Sequence, residues 1–517
     1  MTSEITSKTW DVIVIGTGIG GGTAGRALAE AGLKTLFVEK GPAGHRAEQT
    51  PLSHDMFVPE ARQTRGFWPG QLIAREDGRE SRFFGPLGAG VGGSSVFYAA
   101  TLERPEPHDL DHSDTRPHPC GGWPVSFADF TPYLARAETL FKVSGEAYDD
   151  TPTDLSAPPP FTAGDQRIVD RLRANGRRPY HLHSAIARLE GCLDCTGHKC
   201  PKACKMDGRS AGVEPALATG NATLLDRTEV TKLSADARHV THVEARRNGE
   251  IFRLKARHIL LAGGAFGSPR LCLASASELH PNGIANTSDL VGRGLMFHLN
   301  ELFAVWPGIS DPKPTKAIGL RDITYTHGQR LGMVQAMGVS ASYGEIAFYL
   351  ETLISRTALR HVPLAGKLSR LPAALAANLL GSAKIFVGLL EDLAYPDNRV
   401  LPPIPGSDDI AFHYQMHDEL RVRRRLFRRE ISRAFRGQRR LFLSRTPDLN
   451  YGHPSGTMRF GHDPVTSVLN PDGRAHDLSN LWCADAGFMP SSMGVNPSLA
   501  IAAQALRVAE AIRKAPR

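Results

Sequence analysis

Glycines come first among the residues of this chain whose spacing could do chemistry. Gly16, Gly18 and Gly21 satisfy G-x-G-x-x-G directly after the apolar, β-branched run DVIVI at residues 11–15. The first glycine of such a turn permits the sharp bend. The second lets backbone approach a pyrophosphate, and the third lets helix and strand pack closely. Residues 24–31 read as the following helix, with its N-terminus facing the phosphate, and LFVE at 36–39 as the next strand. Glu39 ends that strand, where a ribose 2′-hydroxyl would be held, and an acid at this place argues against NADP. The unit predicts a dinucleotide site without separating FAD from NAD. Two further glycine-rich turns, GAGVGGSS at 88–95 and LLAGGAFGSPRL at 260–271, favour a flavin, because a second stretch of backbone must approach the pyrophosphate and isoalloxazine.

Cysteine and asparagine carry the next signals. Four of the seven cysteines fall close together as Cys192-x2-Cys195-x4-Cys200-x3-Cys204. Clustered thiols in a reducing compartment favour metal or cofactor binding over disulfides. The spacing fits neither a paired zinc ribbon nor the usual ferredoxin run. An iron–sulfur centre, zinc, and plain structural thiols or a disulfide-linked loop all stay open. Asn496-Pro497 opens an alanine-rich stretch and reads as an N-cap followed by proline in a first helical turn. That helix end would offer a positive dipole end to an anionic reduced flavin. The twenty histidines carry no spacing that singles one out.

The elements that must position these residues are those of an ordinary soluble chain. At 517 residues, 41% apolar and 22% charged, it can bury a core without disulfide staples. Residues 1–9 are polar and lack the pattern of a signal peptide, and no apolar run reaches the length of a spanning helix, so a cytoplasmic home is the simplest expectation. The net charge of +8 is concentrated between Arg421 and Arg445, where eleven arginines accompany one acid, Glu430. Leu426, Phe427, Ile431, Phe435 and Leu441 recur there at roughly helical spacing, which predicts an amphipathic surface helix with a solvated arginine face. The alternatives are docking on an anionic membrane, which would make the protein peripheral, or on an acidic redox partner. No readers or stackers interleave the arginines as a nucleic-acid binder would require. The mostly apolar residues 371–390 predict a buried helix or a substrate-loop helix.

The turns at 88–95 and 260–271, taken with HPSGTMR at 453–459, NLWCADAGFMP at 480–490 and GVNPSL at 494–499, resemble in content and order the glucose–methanol–choline oxidoreductase family. The resemblance touches both ends and the middle and is weakest from about 310 to 445. It implies an α/β fold: a discontinuous Rossmann-like FAD-binding domain at 1–110, 205–310 and 445–517, a connecting segment at 111–204, and a sheet-based substrate-binding domain at 311–444. Residues 395–400 (YPDNRV) resemble the family's return into the substrate-domain sheet.

Carried over residue by residue, the resemblance implies FAD contacts from Gly16, Gly18, Gly21, Glu39, Gly88, Gly92, Gly93, Ser94, Val230, Gly263, Asp485, Ala486, Asn496 and Pro497. It implies oxidation of a CH–OH group of a small alcohol by hydride transfer to flavin N5. His453 would be the base, as a neutral imidazole suits, and Asn496 would orient the substrate oxygen. One place departs from the family's pattern: Tyr98 stands where an asparagine is usual, and no catalytic role attaches to it. The segment Cys195-x4-Cys200-x3-Cys204 is similar to that of membrane-associated FAD glucose dehydrogenases, which implies a three-iron cluster passing electrons to a quinone or cytochrome. A dehydrogenase is therefore expected. An oxidase using O2 directly, or another flavoenzyme class sharing only the dinucleotide domain, is the alternative.

Overall fold

The computed structural model describes residues 2–46, 48, 57–148, 153–309, 311, 315–339, 343–357 and 370–515. Two seven-stranded sheets organise it. In the first, the parallel strands Ala222–Leu225, Thr35–Val38, Thr9–Ile15 and Glu250–Leu261 lie side by side. Leu481–Cys483 adds in parallel to one end of Glu250–Leu261. The antiparallel strands Val240–Arg247 and Glu229–Ala235 add to its other end. Val12, Ile13 and Val14 are wholly buried, as a central parallel strand with both faces covered requires.

The second sheet is antiparallel and runs Arg439–Phe442, His298–Trp306, Lys384–Glu391, Gly332–Ala336, Ile318–Leu320, Tyr180–His181, with Asp448–Leu449 on His298–Trp306. It takes strands from before residue 205 and before residue 311, so the sheet crosses the expected boundaries at both places. Residues 399–400 join a separate four-stranded sheet with Ile410–Tyr414, Leu72–Glu76 and Arg79–Phe83, not the sheet expected for them.

Three local expectations change. The helix after the first glycine turn runs Ile19–Glu30, beginning well before residue 24. Its glycines tolerate helix because contact demands them. A Cβ on Gly20 would lie 1.7 Å from Ala484 O, one on Gly22 2.4 Å from Gly208 O, and one on Gly25 2.2 Å from the Phe37 ring. Tertiary packing thus outweighs glycine's cost of about 1 kcal/mol in a helix. The apolar residues 371–390 split into a helix, Arg370–Leu380, with Leu371, Leu375 and Leu379 exposed, and the buried strand Lys384–Glu391. Among the described residues no helix is long and apolar enough to cross a membrane.

The arginine-rich helix, Asp418–Ala434, does bury Phe427 and Ile431, beneath which Gly388 of the sheet leaves room. Its arginine face is only partly solvated. Arg423 is buried and donates to Glu391 O at 2.7 Å, and Arg428 donates to Glu301 at 2.6 Å. These arginines serve as ties to the sheet, while Arg425, Arg429 and Arg433 face solvent.

Gly20→Ala is expected to destabilise the fold by at least about 1–3 kcal/mol, the usual cost of overpacking against an immovable backbone. Gly267→Ala, in the helix Gly264–Ala274 where a Cβ meets nothing within 4 Å, should be neutral or stabilising. Urea unfolding of both variants checks the contrast.

Candidate active site

The turn after Thr9–Ile15 is shaped by backbone contact. Gly16 has φ +100°, and a Cβ there would lie 2.5 Å from Ala262 O, while one on Gly21 would meet Gly16 O at 2.1 Å. Gly18 differs: nothing lies within 4 Å of the place its Cβ would take. It is also the N-cap of the helix Ile19–Glu30, and no side chain caps that end. Unclaimed N–H groups beside open space at a helix N-terminus suit a pyrophosphate.

Glu39 lies just past Thr35–Val38, buried, its carboxylate accepting from Thr17 Oγ1 at 2.6 Å, Thr17 N at 3.1 Å and Gly41 N at 3.2 Å. The Lys40 backbone adds a further donor, so the carboxylate is held in place by the main chain around it. Burial pushes its pKa up, against the pull of the Thr17 and Gly41 bonds.

The other expected cofactor residues divide. Gly92 and Gly93 adopt φ +98° and +57°, and a Cβ on Gly93 would lie 2.9 Å from Gly18 Cα, so the two glycine turns touch. Gly88 donates to Ser94 Oγ at 2.9 Å. Ser94 is exposed and closes that turn; the buried Ser95 next to it accepts from Gly208 N at 2.9 Å. Val230 is half-buried on Glu229–Ala235, paired with Ala245.

Asp485 gathers the third turn and the C-terminal segment. It accepts from Gly264 N at 2.9 Å, from Gly487 N at 2.9 Å and from Ser268 Oγ at 2.5 Å. Gly263 caps the helix Gly264–Ala274, and Ala486 begins the short helix Ala486–Phe488. Pro497, rather than Asn496, is the N-cap of Ser498–Lys514, and it makes no side-chain capping bond. The capping role expected for Asn496 is therefore absent. Its amide is 5% exposed, and its Oδ1 is buried without a partner among the described residues. An unsatisfied buried acceptor costs about 1–3 kcal/mol, so a ligand hydroxyl or N–H has a place waiting there.

His453 is half-buried in the loop after Asp448–Leu449. Its Nδ1 lies 3.1 Å from Nδ1 of His298, the first residue of His298–Trp306. His298 Nε2 donates to Met493 O at 3.1 Å. A carbonyl only accepts, so His298 carries its proton on Nε2 and its Nδ1 holds a lone pair. His453 must then donate from Nδ1, which leaves its own Nε2 unprotonated. Asn450 Nδ2, at 3.3 Å from the same Nδ1, can only donate, so it makes no hydrogen bond to a protonated Nδ1 and competes with this tautomer. Burial, aided by His298 and by the half-buried Lys316, holds the His453 pKa well below its ordinary value. Burial presses His298 down to about 4. Both rings are neutral at pH 7.

The loop that carries Met493 and Asn496 is strained and braced. Met493 has φ +65°, rare for a residue with a side chain. Gly494 N donates to Asp109 at 3.0 Å, and Met333 N donates to Gly494 O at 2.9 Å. Asp109 is itself held 3.6 Å from Arg330, which pairs with Glu391 at 2.8 Å. Asp392 joins the strand to the loop: its carboxylate accepts from Phe297 N at 2.9 Å, and its N–H donates to Ser492 Oγ at 2.8 Å. Sequence reasoning missed His298, Asp392 and Asp109. A histidine after an ordinary apolar run, and acids far away in the chain, give no spacing signal.

Tyr98 turns its hydroxyl to Met206 O. The four cysteines do not converge. Among the described residues no three metal-ligating side chains gather at one place. Cys195, Cys200 and Cys204 are buried and Cys192 half-buried, all as free thiols.

Similarity to known proteins runs along most of the chain. The family models described as GMC oxidoreductase match residues 10–300 and 411–505. Paromamine 6'-oxidase of Streptomyces fradiae is 28% identical, over 98% of this chain and 91% of the relative. The fructose dehydrogenase large subunit of Gluconobacter japonicus is 26% identical over 99% of each chain. Among solved structures, pyridoxine 4-oxidase from Mesorbium loti superimposes with a TM-score of 0.63 at 19% identity, covering 98% of this chain and 100% of that one. With two family models spanning most of its length, the chain belongs to the GMC oxidoreductase family.

Proposed function

We propose that the protein oxidises a CH–OH group of a small alcohol to a carbonyl, with His453 as the base and FAD as the cofactor. One observation carries this reading: His298 bridges the Met493 carbonyl and His453 Nδ1, and from that order we infer a His453 Nε2 free to take a hydroxyl proton. Bound FAD supplies the acceptor for the carbon hydride. Gly16, Gly18, Gly93 and Glu39 would hold its nucleotide part, and Asn496 and the N-terminus of Ser498–Lys514 would face its reactive end. Asn496 Nδ2 would donate to the substrate oxygen and so turn the hydroxyl proton toward His453 Nε2. The proton leaves along the O–H···Nε2 bond as the carbon gives up hydride. A neutral base is suited to this, because it gains charge only when the reaction proceeds.

The relatives that match along the whole chain include proteins named as oxidases and as dehydrogenases. The expectation of a dehydrogenase rested on an electron relay through the four cysteines. Among the described residues no metal-holding group forms there, which favours instead an acceptor that meets the flavin directly. An iron–sulfur EPR signal from the purified protein would contradict that reading.

His453→Ala should retain FAD and lower the rate of anaerobic flavin reduction by about 10²–10⁴ with a reactive alcohol. His298→Ala keeps the base but not its tautomer, and is expected to cost about tenfold or more, with a changed pH profile. Near wild-type reduction in His453→Ala by stopped flow would overturn the assignment.

The pH dependence follows from the sign of the shifts. The His453 pKa is lowered, so the ring is neutral and active above its ordinary value, and activity falls only as pH drops below about 6.5. Lys316 adds to that lowering. Lys316→Met should therefore move the acid limb of kcat/KM upward. A limb that stays in place, or moves down, contradicts the role given to Lys316.

A further inference from the structure

The antiparallel sheet that contains His298 has two unlike faces. Leu390, Phe386, Val334 and Ala336 pack on one side with Phe427 and Ile431 of the arginine-rich helix. Met333, Val387 and Leu389 pack on the other side, in one cluster with Met493 and Val495 of the C-terminal loop. Side chains alternate along a strand, and directly paired residues share a face. His298 pairs with Glu391, Asn300 with Leu389, and Leu389 with Met333. One step further along, Leu302 pairs with Val387 and Val387 with Gln335. His298, Asn300 and Gln335 therefore stand on the same face, the one turned to the loop that carries Asn496.

Two amides on this face are incomplete. Asn300 Nδ2 is turned to the Asp448 carboxylate, 3.5 Å away, so its Oδ1 is the opposite end of the amide. That Oδ1 is buried without a partner among the described residues. Gln335 is 5% exposed, and its Oε1 is likewise buried without a partner among the described residues. Nearly every buried polar atom of a folded protein is hydrogen-bonded, because leaving one unmade is unfavourable. Two bare amide oxygens on the face that carries His298 mark a place for donors that arrive with a ligand.

The spacing of the two is set by the sheet. Asn300 lies two residues along the strand from His298, about 7 Å. Gln335 lies two strands across and one side-chain step further, about 12 Å from Asn300. Val387 and Leu389 fill the strand between them, so the floor is apolar with an acceptor at each end.

We propose that Asn300 and Gln335 are specificity-determining residues of the substrate site, each accepting a hydrogen bond from a further hydroxyl of the alcohol. The substrate is then a polyhydroxylated molecule whose hydroxyls are spread along its length. This rests on the reading of His453 as the base of an alcohol oxidation. Asn300 takes a hydroxyl near the reacting carbon, and Gln335 takes one at the far end. The carbon-bound hydrogens between them lie on Val387 and Leu389. A monohydric alcohol would cover both amide oxygens without matching either, and a site built to bond a hydroxyl rejects an analogue that lacks it.

The test measures anaerobic flavin reduction of the FAD-loaded enzyme by stopped flow with maltitol, sorbitol and 1-hexanol. Wild type is expected to favour maltitol over sorbitol and sorbitol over 1-hexanol, in reduction rate divided by dissociation constant. Gln335→Met should lower the maltitol-to-hexanol ratio about tenfold, with less effect on the sorbitol-to-hexanol ratio, and Asn300→Leu should lower both about tenfold, the worth of one hydrogen bond. Retained flavin absorbance reports folding of each variant, and the wild-type order of the three probes stands independently of the variants. A wild type that favours 1-hexanol, or ratios that neither substitution moves, would overturn the subsite and leave the role of His453 intact. Wild-type flavin that none of the three reduces would remove the alcohol chemistry, and the subsite with it.

Discussion

In the proposed mechanism, the proton that His298 Nε2 gives to Met493 O orders the two imidazoles of the site. It settles which nitrogen of His298 is a lone pair, hence which nitrogen of His453 must donate, hence which one is free to accept from a substrate. Neither ring could hold this order in water, where each tautomer exchanges freely. Here His298 is 1% exposed at the start of a strand in the middle of a sheet, and Met493 sits in a loop with no room to turn. The positive φ of Met493 aims its carbonyl at the imidazole. Such strain costs about 1–3 kcal/mol and survives only where the surroundings over-determine it. Asp109, Arg330, Glu391, Asp392 and Ser492 supply that over-determination, from segments distant in the chain.

The nucleotide end obeys a different constraint, the approach of backbone to backbone. The turn at Gly16–Gly21 has the helix Ile19–Glu30, the turn at Gly92–Gly93, the residues before Asp485 and those around Gly208 all packed close to it. Any Cβ at Gly16, Gly20, Gly21 or Gly22 would displace a main-chain oxygen, whereas the one at Gly18 would enter open space. The glycines therefore have two tasks. Most let the polypeptide close on itself, and one keeps a face of the turn bare.

Much of this was legible in the sequence, for reasons that differ by element. The glycine fingerprint and the strand before it are local patterns, and the local pattern is the structure. The beginning of the helix Ile19–Glu30 was misplaced because a run of glycines reads as a loop, whereas the contacts of Gly20 and Gly22 with Ala484 and Gly208 come from residues far away. Residues 371–390 look uniform by hydropathy, yet only the second half lies between strands and is buried. The arginine-rich helix was read as a solvated face, but Glu301 and the Glu391 carbonyl, distant in sequence, draw Arg428 and Arg423 inward. His453 and Asn496 could be singled out only by resemblance. His298 could not be found at all, because what makes it important is the carbonyl and the imidazole on either side of it. The spacing of the cysteines left their chemistry open, and among the described residues no metal-holding group forms there.

The most direct measurement is neutron diffraction from crystals of the FAD-bound protein exchanged into D2O at pH 7, which locates the deuterons on both imidazoles. The account predicts deuterium on His298 Nε2 and on His453 Nδ1, with His453 Nε2 bare. Deuterium on His453 Nε2, or on both nitrogens of either ring, would contradict it.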